Sequence, residues 1–284
     1  MESARLSRPG DAGRPQPPAS WREHWFDHRQ LLRLYHCDSD CAIYLDADVR
    51  RAEIGWLGGF VGQTWRYSKA TYGDAFGPDP RIYSIHHAGR HGGGHAGYYV
   101  SPVHDFRNVS DCGTDTWRES NSYARDLPVH EIGHTVESAS NGTHGSPAYE
   151  IWGDSKWAEF YLHDVYTALG LRRDARRVYR EFMGNTDDFP RAGTRWFRDW
   201  FYPLWRDCGQ AAVMADFFRL LAEHFPRGQD GTYARRMNWG EYVHVTSGAA
   251  RADLQGQASR AFGWPAAWTD QLDQARAQFP GITY

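Results

Sequence analysis

Lysine is almost missing from this chain. Across its 284 residues the basic side chains are arginines, except Lys69 and Lys156. That is the bias of a GC-rich bacterial coding sequence and carries no functional signal. Long apolar runs are missing too. The longest mainly apolar stretch, 54–61, is broken by Gly55, Gly58 and Gly59, and a membrane span needs about 20 such residues, so no membrane insertion is expected. Charge of one sign is lacking as well. The formal charge is −3 and the pI about 6.5, which removes the electrostatic reason to expect nucleic acid or an anionic membrane as partner. Cysteine is scarce. Cys37 and Cys41 could open a zinc motif only with a second close ligand pair, and none follows. The even number of cysteines permits two disulfides without fixing a pairing, and four buried thiols are equally open. The first 20 residues lack the apolar segment of a secretory signal. Their Arg, Pro, Gly and Ser content reads as a disordered lead-in over 1–20. The compartment stays open, since a signal upstream could have been trimmed.

What is abundant is aromatic surface: 15% of residues, with 13 Trp. So many large rings either build a heavy core or line a cleft. A chain of this length supports a core without staples. Residues 21–284 read as one domain, with a strand-bearing half (21–145) and a helical half (146–284).

Hydrophobic spacing predicts a helix over 21–35 and a short strand over 42–45. A helix follows over 47–69, and strands over 81–86, 98–101 and 107–110. Residues 87–97 read as a Gly/His loop. A helix from Asp126 to about Ser138 is expected, with Asp126 as N-cap and Pro128 in its first turn. Beyond it the chain reads as helices near 155–169, 174–183, 194–206, 210–225, 239–246, 249–262 and 266–278, punctuated by Pro190, Pro226 and Pro265. This is an α+β layout with a cleft between the halves.

The chemistry is concentrated in His130-Glu131-Ile132-Gly133-His134. Four residues are just over one helical turn, so His130 and His134 project from one face and can share a tetrahedral metal. Glu131 lies about 100° round the helix. It is placed to reach a water on that metal rather than the metal itself. With 14 His and 11 Glu in 284 residues, about 0.03 such matches are expected by chance.

On these residues the chain resembles the zincin metallopeptidases. The resemblance implies a bound zinc, Glu131 as general base and a third protein ligand downstream. A His-x-x-Gly-x-x-His continuation after His134 is lacking, because Glu137 and Ser140 stand there. That speaks against a three-histidine metzincin and for the gluzincin arrangement, with a carboxylate from a second helix. A looser resemblance to uncharacterised bacterial proteins regarded as metallopeptidases extends over His144-Gly145-Ser146-Pro147-Ala148, Trp152 to Glu159, Trp196 to Phe201 and Asn238-Trp239-Gly240-Glu241.

Three carboxylates compete for the third position. Glu159 leads, on the second expected helix. Asp154 reads best as that helix's N-cap, its side chain taken by backbone N–H groups. Glu150 lies in the loop before it. Glu137, about 10 Å from His130 along the axis, suits support of His134. For the donor facing the developing oxyanion the candidates are Tyr149, Tyr161, His163, Tyr242 and His244, with Tyr149 and His244 favoured.

His86, His87, His91 and His95 gather around Gly89 and Gly92 to Gly94. This reads as a mobile cleft rim without fixed ligand geometry, able to help position an extended peptide. Glu241 and His244 read as a buried polar contact. The stripe Trp196, Phe197, Trp200, Phe201 and Trp205 reads as helix core. The expectation is therefore an α+β, zincin-like zinc metallopeptidase acting on a peptide or protein, with Zn²⁺ on His130, His134 and Glu159. The rival readings are a zinc hydrolase of non-peptide amides such as cell-wall material, and an idle zincin fold that binds glycan or protein.

Overall fold

The computed structural model describes residues 15–284. The fold is α+β. Among the described residues six strands form one sheet: β1 (Ser20–Arg22), β2 (Leu31–Cys37), β3 (Cys41–Leu45), β4 (Ile82–His87), β5 (Gly93–Gly97) and β6 (Asn108–Gly113). Their order is β1-β2-β3-β4-β6-β5. β3, β4 and β6 run parallel, and the remaining pairings are antiparallel. Parallel strands need crossover connections. Helix α1 (Leu57–Tyr72) joins β3 to β4, and β5 lies between β4 and β6 in the chain.

Both faces of the sheet are covered, which is why β3 reads as a continuous apolar run and every residue of β3, β4 and β6 is buried. Cys41, Ile43, Leu45, Ile82 and Cys112 face the helices. Ala42, Tyr44, Tyr83, Ile85 and Val109 face Trp21, Trp25 and Leu32. The helix expected over 21–35 is thus absent. The segment instead forms β1, a turn and β2 at one edge of the sheet, with Trp21, Trp25 and Leu32 packed on its outer face. The expected lead-in over 1–20 falls partly outside the described residues. Of the rest, Pro18 accepts a hydrogen bond from Tyr44 Oη at 2.7 Å and Pro15 one from Arg81 at 2.8 Å.

The motif helix α2 (Ser122–Ala139) starts a turn earlier than expected, with Asn121 accepting from Tyr123 N as its cap. Asp126 is inside the helix and accepts from Tyr166 Oη at 2.6 Å. The helical half follows: α3 (Tyr149–Trp152), α4 (Lys156–Ala168), α5 (Arg172–Gly184), a π turn (Phe197–Phe201) leading into α6 (Tyr202–Asp207), α7 (Ala211–His224), α8 (Trp239–Ala250), α9 (Gln255–Phe262) and α10 (Ala266–Gln278). No helix among the described residues is long and apolar enough to cross a membrane.

The aromatic excess goes mainly into the core, where Trp65, Trp117, Trp152, Trp157 and Trp200 are fully buried. Trp152 and Trp200 both donate their indole N–H to Tyr242 Oη, at 2.9 and 2.6 Å. Tyr242→Phe would leave two buried donors without an acceptor. At about 1–3 kcal/mol for each unsatisfied group, it is expected to cost roughly 2–6 kcal/mol, read from urea unfolding.

Candidate metal centre

α2 packs against β6 and β5 on one side and against α4 on the other. Gly133 permits the second contact: a Cβ there would come within 2.9 Å of Tyr161 Cδ1. Trp157 reinforces it by donating to the Gly133 carbonyl at 2.8 Å. This brings the start of α4 next to the two motif histidines.

His130 Nε2 and His134 Nε2 lie 3.2 Å apart. Asp154 Oδ1 lies 3.4 Å from His134 Nε2, and its Oδ2 lies 4.0 Å from His130 Nε2. A tetrahedral ion with bonds of about 2.0–2.1 Å sets its ligand atoms about 3.3 Å apart, close to this spacing. Two imidazoles and one carboxylate, with Asp154 on the exposed side, match a centre of three protein ligands and one open position. Glu137 Oε2 is 3.1 Å from His134 Nδ1. That contact fixes the ring so that Nε2 faces the centre. Burial disfavours charge on both rings. It takes the pKa of His130 down to about 4. At His134 it is outweighed by Asp154 and Glu137, which push the pKa up to about 10.

The carboxylate beside the histidines is therefore Asp154 and not Glu159. The reason is local. Helix α4 begins at Lys156, Ser155 is its N-cap, and no side chain caps it. Asp154 is thereby released from the capping role expected of it. Gly153, with φ of +57°, turns the chain so that Asp154 reaches back. Glu159 sits a turn further on, against α5, with Lys156, Asn185 and Asp187. Burial raises its pKa to about 7. Glu150 is exposed and lies 3.9 Å from Arg236.

Glu131 is buried beneath β5. A Cβ on Gly94 would come within 2.6 Å of Glu131 Oε1 and 2.8 Å of the Asp111 carbonyl. The glycine stretch is therefore no loose rim: Gly94 lets the last strand of the sheet pass directly over the catalytic candidate. His86 and His87 are likewise fixed as buried residues of β4. Burial raises the Glu131 pKa to about 8.

The donor candidates separate sharply. His244 is remote from this centre, with its ring nitrogens 3.2 Å from Tyr284 Oη and 3.3 Å from the Phe279 carbonyl. Tyr161 is fully buried against Ser68, Tyr242 serves the two indoles, and His163 lies among Trp205, Phe197 and Tyr202. Tyr149 is half-exposed on α3 with Arg236 over its ring. Tyr98, directly after β5, was not anticipated. Burial raises its pKa against a hydrogen bond with Ser138, and the charges of Glu137, Glu131 and Tyr149 raise it further. Its only sequence signal is its place after the glycine stretch.

No family model matches the chain, and a search of the curated proteins returns no match. Among solved structures it is similar to a functionally unknown conserved protein from Bacillus anthracis str. Ames and to a mutant of that protein. Each is 12% identical with a TM-score of 0.48 over 84% of this chain. The chain spans 50% of the length of those neighbours.

Proposed function

We propose that the chain is a zinc-dependent metallopeptidase of the zincin type, with zinc held by His130, His134 and Asp154 and with Glu131 as general base. The observation that carries this reading is the convergence of two Nε2 atoms and one carboxylate beside a buried glutamate on the same helix. When bound, zinc supplies a water acidified toward neutrality and a Lewis acid for the scissile carbonyl. Glu131 takes the proton of the attacking water and returns it to the amine nitrogen as the C–N bond breaks. Tyr98, on which the charges of Glu137 and Glu131 act, is the hydroxyl assigned to the carbonyl oxygen as it gains charge.

A peptide reading is favoured over other amides by β5. It is the last strand of the sheet among the described residues, and it crosses Glu131. An extended substrate can add to such an edge through main-chain hydrogen bonds. Digestion of a broad peptide library by the zinc-loaded protein tests this. Cleavage that stops on chelation is expected, and failure to cut any peptide contradicts it.

Gly94→Ala tests the strand's closeness to the base. The added methyl is expected to displace the Glu131 carboxylate, lowering kcat about 10²-fold, the scale of a displacement of about 1 Å at a reacting group. Zinc content by elemental analysis should not change.

A further inference from the structure

On the opposite face of the sheet from α2, four buried side chains converge: Glu23 after β1, His28 from the turn before β2, His87 at the end of β4 and Asp111 on β6. His87 Nε2 lies 2.9 Å from Glu23 Oε1 and 3.2 Å from Asp111 Oδ1. His28 Nδ1 lies 3.2 Å from Asp111 Oδ2 and 3.5 Å from Glu23 Oε1. These separations, which reach Asp111 through a different oxygen for each histidine, lie near the edge of about 3.3 Å of a zinc-ligand tetrahedron, and one ligand atom from each of the four residues lies within 4.8 Å of the others.

Three polar atoms of these side chains also have partners outside the cluster. Gln30 N donates to Glu23 Oε2 at 3.2 Å, Asp46 Oδ2 lies 3.2 Å from His87 Nδ1, and Trp25 Nε1 donates to Asp111 Oδ2 at 2.9 Å. The carboxylate on the far nitrogen of His87 is the support that metal-bound histidines commonly have. In contrast, Glu23 Oε1, His28 Nδ1 and His87 Nε2 are buried and form no aligned hydrogen bond, although they are in close contact. Buried polar atoms rarely go without partners. A cation held between these three atoms would serve all of them at once.

We infer that Glu23, His28, His87 and Asp111 form a second, structural site for a divalent cation of the zinc class. Two imidazoles and two carboxylates with no open position are a closed donor set, and the two carboxylate charges balance a divalent ion. The site joins the segment after β1 to β4 and β6. It also reaches β5, because His95 Nε2 lies 3.4 Å from Asp111 Oδ2. The ion thus anchors, from behind, the strand whose other face lies over Glu131. This inference does not depend on the proposed peptidase function.

The test uses the His130→Ala/His134→Ala variant, which removes the ligands of the centre on α2. After zinc loading and desalting, elemental analysis is expected to find two equivalents in the wild-type protein and one in this variant. The melting temperature of the variant should rise with added zinc, since an ion that binds only the folded state stabilises it. Adding His28→Gln, or Glu23→Gln instead, should abolish both the remaining equivalent and the shift. A double variant that holds no zinc and melts at the same temperature with and without it would leave the cluster as a buried ion-pair network and overturn the inference. Retention of the equivalent after both added substitutions would overturn the ligand assignment.

Discussion

Glu131→Gln is expected to bind zinc as the wild-type protein does and to lose hydrolysis by about 10²–10⁴-fold, the usual worth of a positioned general base. The amide fills nearly the same volume beneath β5 and leaves His130, His134 and Asp154 untouched, so neither the metal nor the fold has cause to change. The two readouts separate chemistry from structure. A variant with full zinc and full activity would mean that the buried carboxylate under Gly94 is not the base. Activity and zinc lost together would mean that Glu131 shapes the centre instead of acting on the water.

Asp154→Ala is the second large effect. It removes one of three protein ligands and is expected to weaken zinc binding on α2 by more than the about 10–100-fold that loss of a supporting residue costs. Glu137→Gln should fall within that smaller range, because Glu137 touches only the far nitrogen of His134. Glu159→Ala should leave zinc affinity unchanged, since Glu159 lies with Lys156 and Asn185 instead. The comparison is best made by competition with a coloured chelator, on variants that carry His28→Gln to silence the second cluster. Equal losses for Asp154→Ala and Glu159→Ala would refute the assignment.

Much of the scaffold is legible because its signals are local. The His130 and His134 pair announces a shared helix face through a spacing of four. The strands expected over 42–45, 81–86 and 107–110 appear as β3, β4 and β6, though only the first is a continuous apolar run. The helical half is readable from period and from Gly and Pro breaks, to within a few residues at most ends. The 15 residues from Trp21 to Tyr35 are misread because Trp21, Trp25 and Leu32 share a helical spacing by coincidence. What fixes their conformation is the bare outer face of the sheet, which they cover.

The third ligand illustrates a finer limit. The choice between Asp154 and Glu159 turns on where α4 begins. Moving the N-cap from Asp154 to Ser155 frees the aspartate, and no local preference distinguishes those two residues. The roles of Tyr98, Glu23 and Asp111 are longer-range still. They arise from strand order, which brings β5 beside β6 and lays the segment after β1 over β4.

The most direct test of the central claim is an anomalous difference map at the zinc edge from crystals grown with zinc. The account predicts a peak bonded to His130 Nε2, His134 Nε2 and an Asp154 oxygen at about 2.0–2.2 Å, with Glu131 outside bonding distance. Zinc-loaded crystals with no peak at these three residues would contradict it.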